Sequence, residues 1–406
     1  AGSERKPTLK ERILEIPLNG RNAATLTLTV AGAYTAPSSG ADQGSGKTFP
    51  GAVAISVNGS RQNQMSYLLD GANHMDSFSN INAPFPFPDA LQEFSVQTSN
   101  YSAESGQNAG GVVNVITKSG TNQFHGSAFE FVRNAQFNAR GFFAAKRDPL
   151  KRNQFGATFG GPVMLPGYKG RDRTFFFFGY QGTRIRSVTY GLSTFLPTAD
   201  NRQGDFSNAL TANPNNPLGR AIIINDPVTG RPFPGNIIPM SRFDPASIAL
   251  SKYFPVVGGS GQVFYSRPLR ESFNEEVVRI DHSFSEKDRL TGRYFRDKFF
   301  TPAIWDPSFA VKYTNGVDFI VQNALLQETH MFSPTLLNDF RFGIHREHNK
   351  RFVPEGVPNV KDLGVNVWQP SAYKALESIS VSGFFSTGAN TNARWPRSTF
   401  SISDDI

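Results

Sequence analysis

The sequence predicts a small mixed α/β domain followed by a long antiparallel β region, read here as a membrane-spanning β-barrel. Three observations carry that expectation. Charged residues make up only 18 % of the 406, and Gly, Asn, Ser, Thr, Gln and Phe take their place. A helical bundle wants Ala, Leu, Glu and Lys instead. Thirty-seven Phe are scattered among polar residues, and the mean hydropathy is negative. From His125 onward, apolar and polar side chains alternate with a period of two, as in strands with two different faces.

Residues 1–10 read as a polar lead-in without the apolar stretch of a signal peptide. Residues 11–122 read as the first domain. They hold Leu26–Val30, a Gly/Ser-rich loop from Pro37 to Gly46, and then compact apolar runs at Val53–Val57, Tyr67–Leu69, Phe94–Val96 and Val112–Ile116. Gly and Asn split these runs into short strands, with Pro88–Phe94 as a candidate helical turn. Asn58-Gly59 and Asp70-Gly71 are turn formers. Gly110-Gly111 suits close backbone approach or a positive φ.

Residues 123–406 read as the β region. Phe155, Ala157 and Phe159 alternate with Gln154, Gly156 and Thr158. Val278, Ile280 and Phe284 alternate with Arg279, Asp281 and Ser283, and Leu290 and Tyr294 oppose Arg289, Thr291 and Arg293. Leu336, Phe340, Phe342 and Ile344 alternate with Asp339, Arg341 and Gly343. Each segment has the ~9–11 residues of a membrane strand. Ser285–Asp288 is a short hairpin turn, whereas the connection over 197–272 is long and rich in Pro, Asn and Gly. Short turns alternating with long external loops are a habit of outer-membrane barrels. A secreted β-sandwich shows the same alternation and stays open on periodicity alone. Arg173–Tyr180, with aromatics on both faces, leans toward the barrel.

Composition excludes other classes. No stretch approaches the ~20 consecutive apolar residues of a membrane helix. The formal charge is +8, but Lys and Arg are spread singly, so no nucleic-acid partner is expected. The absence of Cys fits an oxidising envelope compartment. Ala41–Thr48, with Lys47, resembles a relaxed phosphate loop, yet Phe49-Pro50-Gly51 breaks the helix such a loop must open. His345-Arg-Glu-His348 has the wrong spacing for a zinc helix and reads as a solvated loop entrance. No catalytic, cofactor or metal residues are expected, and the chain is not expected to be an enzyme.

The run from Asn58 to Gly126 carries a resemblance. Asn58-Gly-Ser-Arg61 with Tyr67-Leu-Leu-Asp70-Gly71, Asp89-Ala-Leu-Gln-Glu93-Phe-Ser-Val-Gln-Thr98, Tyr101-Ser-Ala-Glu104 and Gly110-Gly111-Val-Val-Asn114-Val-Ile-Thr117-Lys118 resemble the plug of TonB-dependent transporters, in particular the Oar-like subgroup. His125–Phe131, Arg152–Gly156 with Gly160-Gly-Pro162, and Asp172–Phe175 resemble its first three barrel strands. The resemblance implies an α/β plug over 11–122, leaving open whether its N-terminal part is missing. It also implies an antiparallel transmembrane barrel over 123–406, incomplete and lacking its C-terminal strands, with another strand starting at Asp405-Ile406. No TonB box is identified before residue 11. The implied function is TonB-coupled uptake of an unidentified substrate across the bacterial outer membrane. The implied partners are the inner-membrane TonB complex and outer-membrane lipid. The alternative is a secreted β-rich adhesin or glycan-binding protein. Asn58, Arg61, Asp70, Gly71, Glu93, Tyr101, Glu104, Gly110, Gly111, Asn114, Thr117 and Lys118 are the plug-motif residues, expected mainly to maintain the fold. Arg279, Asp281, Arg289, Arg293, Asp339 and Arg341 would face the lumen, paired with one another across strands or with the plug.

Overall fold

The structure, a computed structural model, describes residues 8–9, 13–16, 18–35, 49–98, 110–140, 142, 147–212, 219–368, 375–388 and 392–406. Tyr101, Glu104 and the phosphate-loop-like segment 41–48 lie outside them.

The N-terminal domain is built on a small mixed sheet. Strand β1 (Met65–Leu69) turns through Asp70-Gly71 into β2 (Ala72–Asn73). Asp70 and Gly71 have φ of 51° and 82°, the left-handed pair that two-residue hairpins need. Strand β3 (Leu91–Gln97) runs antiparallel to β4 (Gly111–Thr117), which runs parallel to β1. The sheet order is Thr8–Leu9, β3, β4, β1, β2. A parallel pair covered on both faces explains the unbroken apolar Val112-Val113. Tyr67, Leu69, Phe94, Val113 and Val115 are fully buried in this core, and each such side chain contributes roughly 1.5–3 kcal/mol. Gly111 has φ of 148°, and a Cβ there would stand 2.6 Å from the Gln97 carbonyl oxygen. The helical turn expected over Pro88–Phe94 is shorter, a 3-10 turn at Pro88–Ala90, because Phe94 is needed in β3 to fill the core.

The second part is one eight-stranded sheet. Its strands are β5 (His125–Asn134), β6 (Lys151–Pro162), β7 (Thr174–Phe195), β8 (Gln262–Ser283), β9 (Asp288–Thr301), β10 (Gly316–Ser333), β11 (Leu336–Phe352) and β12 (Ala393–Asp405). Each pairs antiparallel with the next in chain order. Strands β5 and β12 are its two edges, so the sheet is open among the described residues. Short turns join β8 to β9 and β10 to β11, whereas long connections at the other end join β7 to β8 and β11 to β12. The long connections pack on each other and on the β9–β10 connection, with Leu196, Phe254, Phe309 and Phe385 buried together.

Four expectations need correction. The strands run to 22 residues, beyond a membrane's thickness, because the β7–β8 hairpin continues outward. For the same reason the long connection ends at residue 261, not 272. Strand β12 already spans Ala393–Asp405, so no new strand begins at Asp405. His345 and Glu347 are 3 % and 1 % exposed in mid-β11, not at a solvated entrance, because the N-terminal domain covers them.

Side chains alternate between two faces. Outward stand Phe155, Phe159, Phe178, Val278, Ile280, Tyr294, Leu326, Phe340, Phe400 and Ile402, all exposed. Inward, toward the N-terminal domain, stand Phe177, Val277, Arg293, Phe295, Asn323 and His345, all buried. Among the described residues no helix is long and apolar enough to cross a membrane.

Candidate functional site

Antiparallel register arranges the inner face in rows. One row runs Phe177, Arg279, Arg293, Leu325, Gly343, Ser401 across β7 to β12. The next runs Gly179, Val277, Phe295, Asn323, His345, Thr399. A third runs Gln181, Glu275, Asp297, Val321, Glu347, Arg397. Arg279 and Arg293 are therefore direct cross-strand neighbours of like charge, a destabilising arrangement unless an anion sits between them.

That anion is Asp70. The β1–β2 turn delivers its carboxylate to the sheet, where Arg293 Nε donates at 2.9 Å and Arg279 Nη1 lies at 3.4 Å. Thr117, the last residue of β4, donates to Asp70 from its backbone N at 2.8 Å and from its hydroxyl at 3.0 Å. Arg293, whose side chain is 0 % exposed, also donates to the Leu69 carbonyl at 2.8 Å and to Asn323 Oδ1 at 2.6 Å. Arg279 grips Asp281 with two bonds of 3.0 Å, and Asp281 accepts from Arg289 at 3.1 Å and Thr291 at 2.8 Å. Breaking a buried pair of this kind by removing one partner costs about 3–5 kcal/mol.

The chain of contacts continues across the sheet. With its oxygen turned to Arg293, the Asn323 amide donates to the Asn73 carbonyl at 2.8 Å and faces Nδ1 of His74 at 3.2 Å and of His345 at 3.4 Å. His74 Nε2 donates to the Pro84 carbonyl at 2.7 Å, and His345 Nε2 to Glu347 at 3.2 Å. Arg397 of β12 then bridges Glu347 and Asp76 of the N-terminal domain. Burial, first, and the nearby His345 and Arg293 hold His74 well below the usual histidine range. The result is one polar seam from β8 to β12, docking the N-terminal domain on the sheet.

The other sequence-predicted residues sit as follows. Asp339 and Arg341 pair with each other, and Arg341 reaches Asp405 at 3.1 Å. Asn114, Gly71 and Arg341 line a gap of about 710 Å³ beside β12. Asn58 donates to the Thr98 carbonyl at 3.1 Å, Arg61 is exposed in a turn, and Glu93 stands part-buried on β3. A Cβ on Gly110 would stand 2.6 Å from Ser60 Oγ. The Lys118 backbone N bonds the Ala90 carbonyl at 2.9 Å, and burial lowers its ammonium pKa. Sequence reasoning missed His74, Asp76, Asn323, His345, Glu347 and Arg397. Strand β10, which carries Asn323, has apolar residues on both faces (Phe319, Val321 and Leu325 inward, Ile320 and Leu326 outward), so no alternation marked it. The His/Asp/Glu group whose donors lie within 4.8 Å, Asp288, Glu328 and His330, stands half-exposed by the β8–β9 turn. There Asp288 already pairs with His330.

The family described as "Outer membrane beta barrel domain" matches residues 116–406. The TonB-dependent transporter Oar of Myxococcus xanthus is 33 % identical over 135 residues, 31 % of this chain and 12 % of that protein. The siderophore receptor PirA of Acinetobacter baumannii aligns over 98 % of this chain and 45 % of its own, with TM-score 0.52 and 14 % identity. The ferric enterobactin receptor PfeA of Pseudomonas aeruginosa aligns over 99 % and 46 %, with TM-score 0.50 and 10 % identity. The chain therefore spans under half the length of these relatives.

Proposed function

The chain belongs to the outer-membrane β-barrel domain family, as a TonB-dependent receptor of the bacterial outer membrane, and from that premise we propose that it admits a solute by moving its N-terminal domain as a plug. On this reading the eight strands are the first part of a closed barrel. The seam centred on Asp70 carries the proposal. It joins the N-terminal domain to the sheet with polar contacts that water can replace one by one, beside an apolar contact of Phe177, Val277 and Phe295 with that domain. The outer membrane has no ATP, so uphill uptake needs work delivered by a partner, the TonB complex. The substrate is left unassigned. The outward apolar face is why a secreted adhesin is not proposed.

A tether tests the movement. A Cβ added at Gly343 lies 2.9 Å from the Cβ of Ala72, so the two strands need part by only about 1 Å to reach the ~3.8 Å of a disulfide, and the chain has no other Cys. In the full-length protein with Ala72→Cys and Gly343→Cys, uptake of the solute that a receptor-deletion strain fails to accumulate should stop on oxidation and return on reduction. Uptake indifferent to the closed tether and to loss of TonB contradicts the proposal.

A further inference from the structure

The third inner row differs from the seam beside it. Glu275 and Asp297 are direct cross-strand partners on β8 and β9, which puts their Cβ atoms about 5 Å apart. Gln181 neighbours Glu275 on β7 and donates to it from Nε2 at 2.8 Å, which turns its own oxygen the other way. Asp297 is 5 % exposed and Gln181 2 %. Among the described residues, Asp297 Oδ1 and Gln181 Oε1 accept no hydrogen bond. The ion pairs of this face engage Asp70, Asp281, Asp339 and Glu347 instead.

All three side chains line a cavity of about 220 Å³ closed on the other side by Gly20, Gly51 and Pro84 of the N-terminal domain. Two guanidinium groups share that lining; the charge of Arg21 acts on Glu275, yet both groups make their hydrogen bonds elsewhere. Arg21 pairs with Asp89 and stacks over Phe129 and Phe131, and Arg152 donates to the Gly20 carbonyl at 3.3 Å. Two adjacent carboxylates, Asp297 buried and Glu275 half-buried, ask for more positive charge than the distant Arg21 gives, because buried charges persist only when paired or metal-bound.

We propose that Glu275 and Asp297, with the Gln181 carboxamide turned over to offer its oxygen, form a site for one hard divalent cation of the Ca²⁺ or Mg²⁺ class. The donors are all oxygens, which suits such ions and not zinc or copper. The cavity has room for the waters they retain, at about 30 Å³ each. The ion would tie three strands together under the N-terminal domain, and this site stands whether or not that domain moves during uptake.

The test uses the full-length protein in detergent, stripped with EDTA and titrated calorimetrically with CaCl₂ and MgCl₂ beside thermal unfolding. The expected result is saturable binding of one ion that raises the unfolding temperature. Asp297→Asn and Glu275→Gln should each weaken it by about 10-fold or more, since affinity follows ligand charge. No saturable response in the unmutated protein overturns the proposal, a result that needs no variant to fold. An undiminished response in the double variant overturns it too, as does stabilisation by acid alone, which would mean a shared proton instead of a metal.

Discussion

On β8, Val278 and Ile280 stand 38 % and 48 % exposed on the outward face, whereas Val277 and Asp281 on the inward face are 0 % and 1 % exposed. The same backbone thus presents bare hydrocarbon to one side and a polar seam interleaved with apolar contacts to the other. The outward face asks only that a side chain be apolar, since lipid recognises no partner. The inward face asks for a specific complement: Arg293 is tolerable because Asp70, Leu69 and Asn323 accept its protons. Alternation decides the face, and only the opposing domain decides what an inward residue does.

That contrast can be broken from either side. Arg293→Met should lose about 3–5 kcal/mol of stability in denaturant titration, because Asp70 is left buried with its main cation gone. A loss below about 1 kcal/mol would mean the seam is wet, as for exposed pairs. Outward, Ile280→Arg should cost roughly 2–4 kcal/mol in refolding into lipid vesicles. No cost there would move Ile280 out of the hydrocarbon.

A pH titration sharpens the inward side. His74 is held neutral in the fold, with its pKa well below 6.5, so above that pH neither state binds its proton. As pH falls through 6.5, the unfolded chain takes up a proton that the fold refuses. Stability should drop by up to about 1.4 kcal/mol per pH unit. The slope should flatten in His74→Gln, and an unchanged slope would assign it to another group. The smallest effect is expected at Arg289, whose side chain is 53 % exposed beside Asp281. Arg289→Ala should cost under about 1 kcal/mol, fading in salt.

The sequence made the outward face legible because Val278, Ile280, Phe340 and Phe342 alternate with polar neighbours, and hydrocarbon imposes that period. Asp70 and Thr117 were legible as motif residues only through resemblance, and their pairing was not legible at all, since a turn former and a strand end 47 residues apart carry no mutual signal. Their sheet partners were partly visible: Arg279 and Arg293 stood out as inward charges, but strand register, which alone makes them neighbours, is not written in either strand. His345 and Glu347 were misread because a polar cluster in a strand looks solvated until another domain is known to cover it. Asn323 was invisible in a strand apolar on both faces.

Leu325 and Leu326 decide the matter most directly. They are identical neighbours on β10, 4 % and 47 % exposed, and only opposite surroundings can separate them. A nitroxide attached at Leu326→Cys in the full-length protein in liposomes should be relaxed strongly by oxygen and hardly by a water-soluble nickel chelate, and one at Leu325→Cys should be immobile and shielded from both. Equal access of the nickel chelate at Leu326, or free motion at Leu325, would contradict a sheet with lipid on one face and a docked domain on the other.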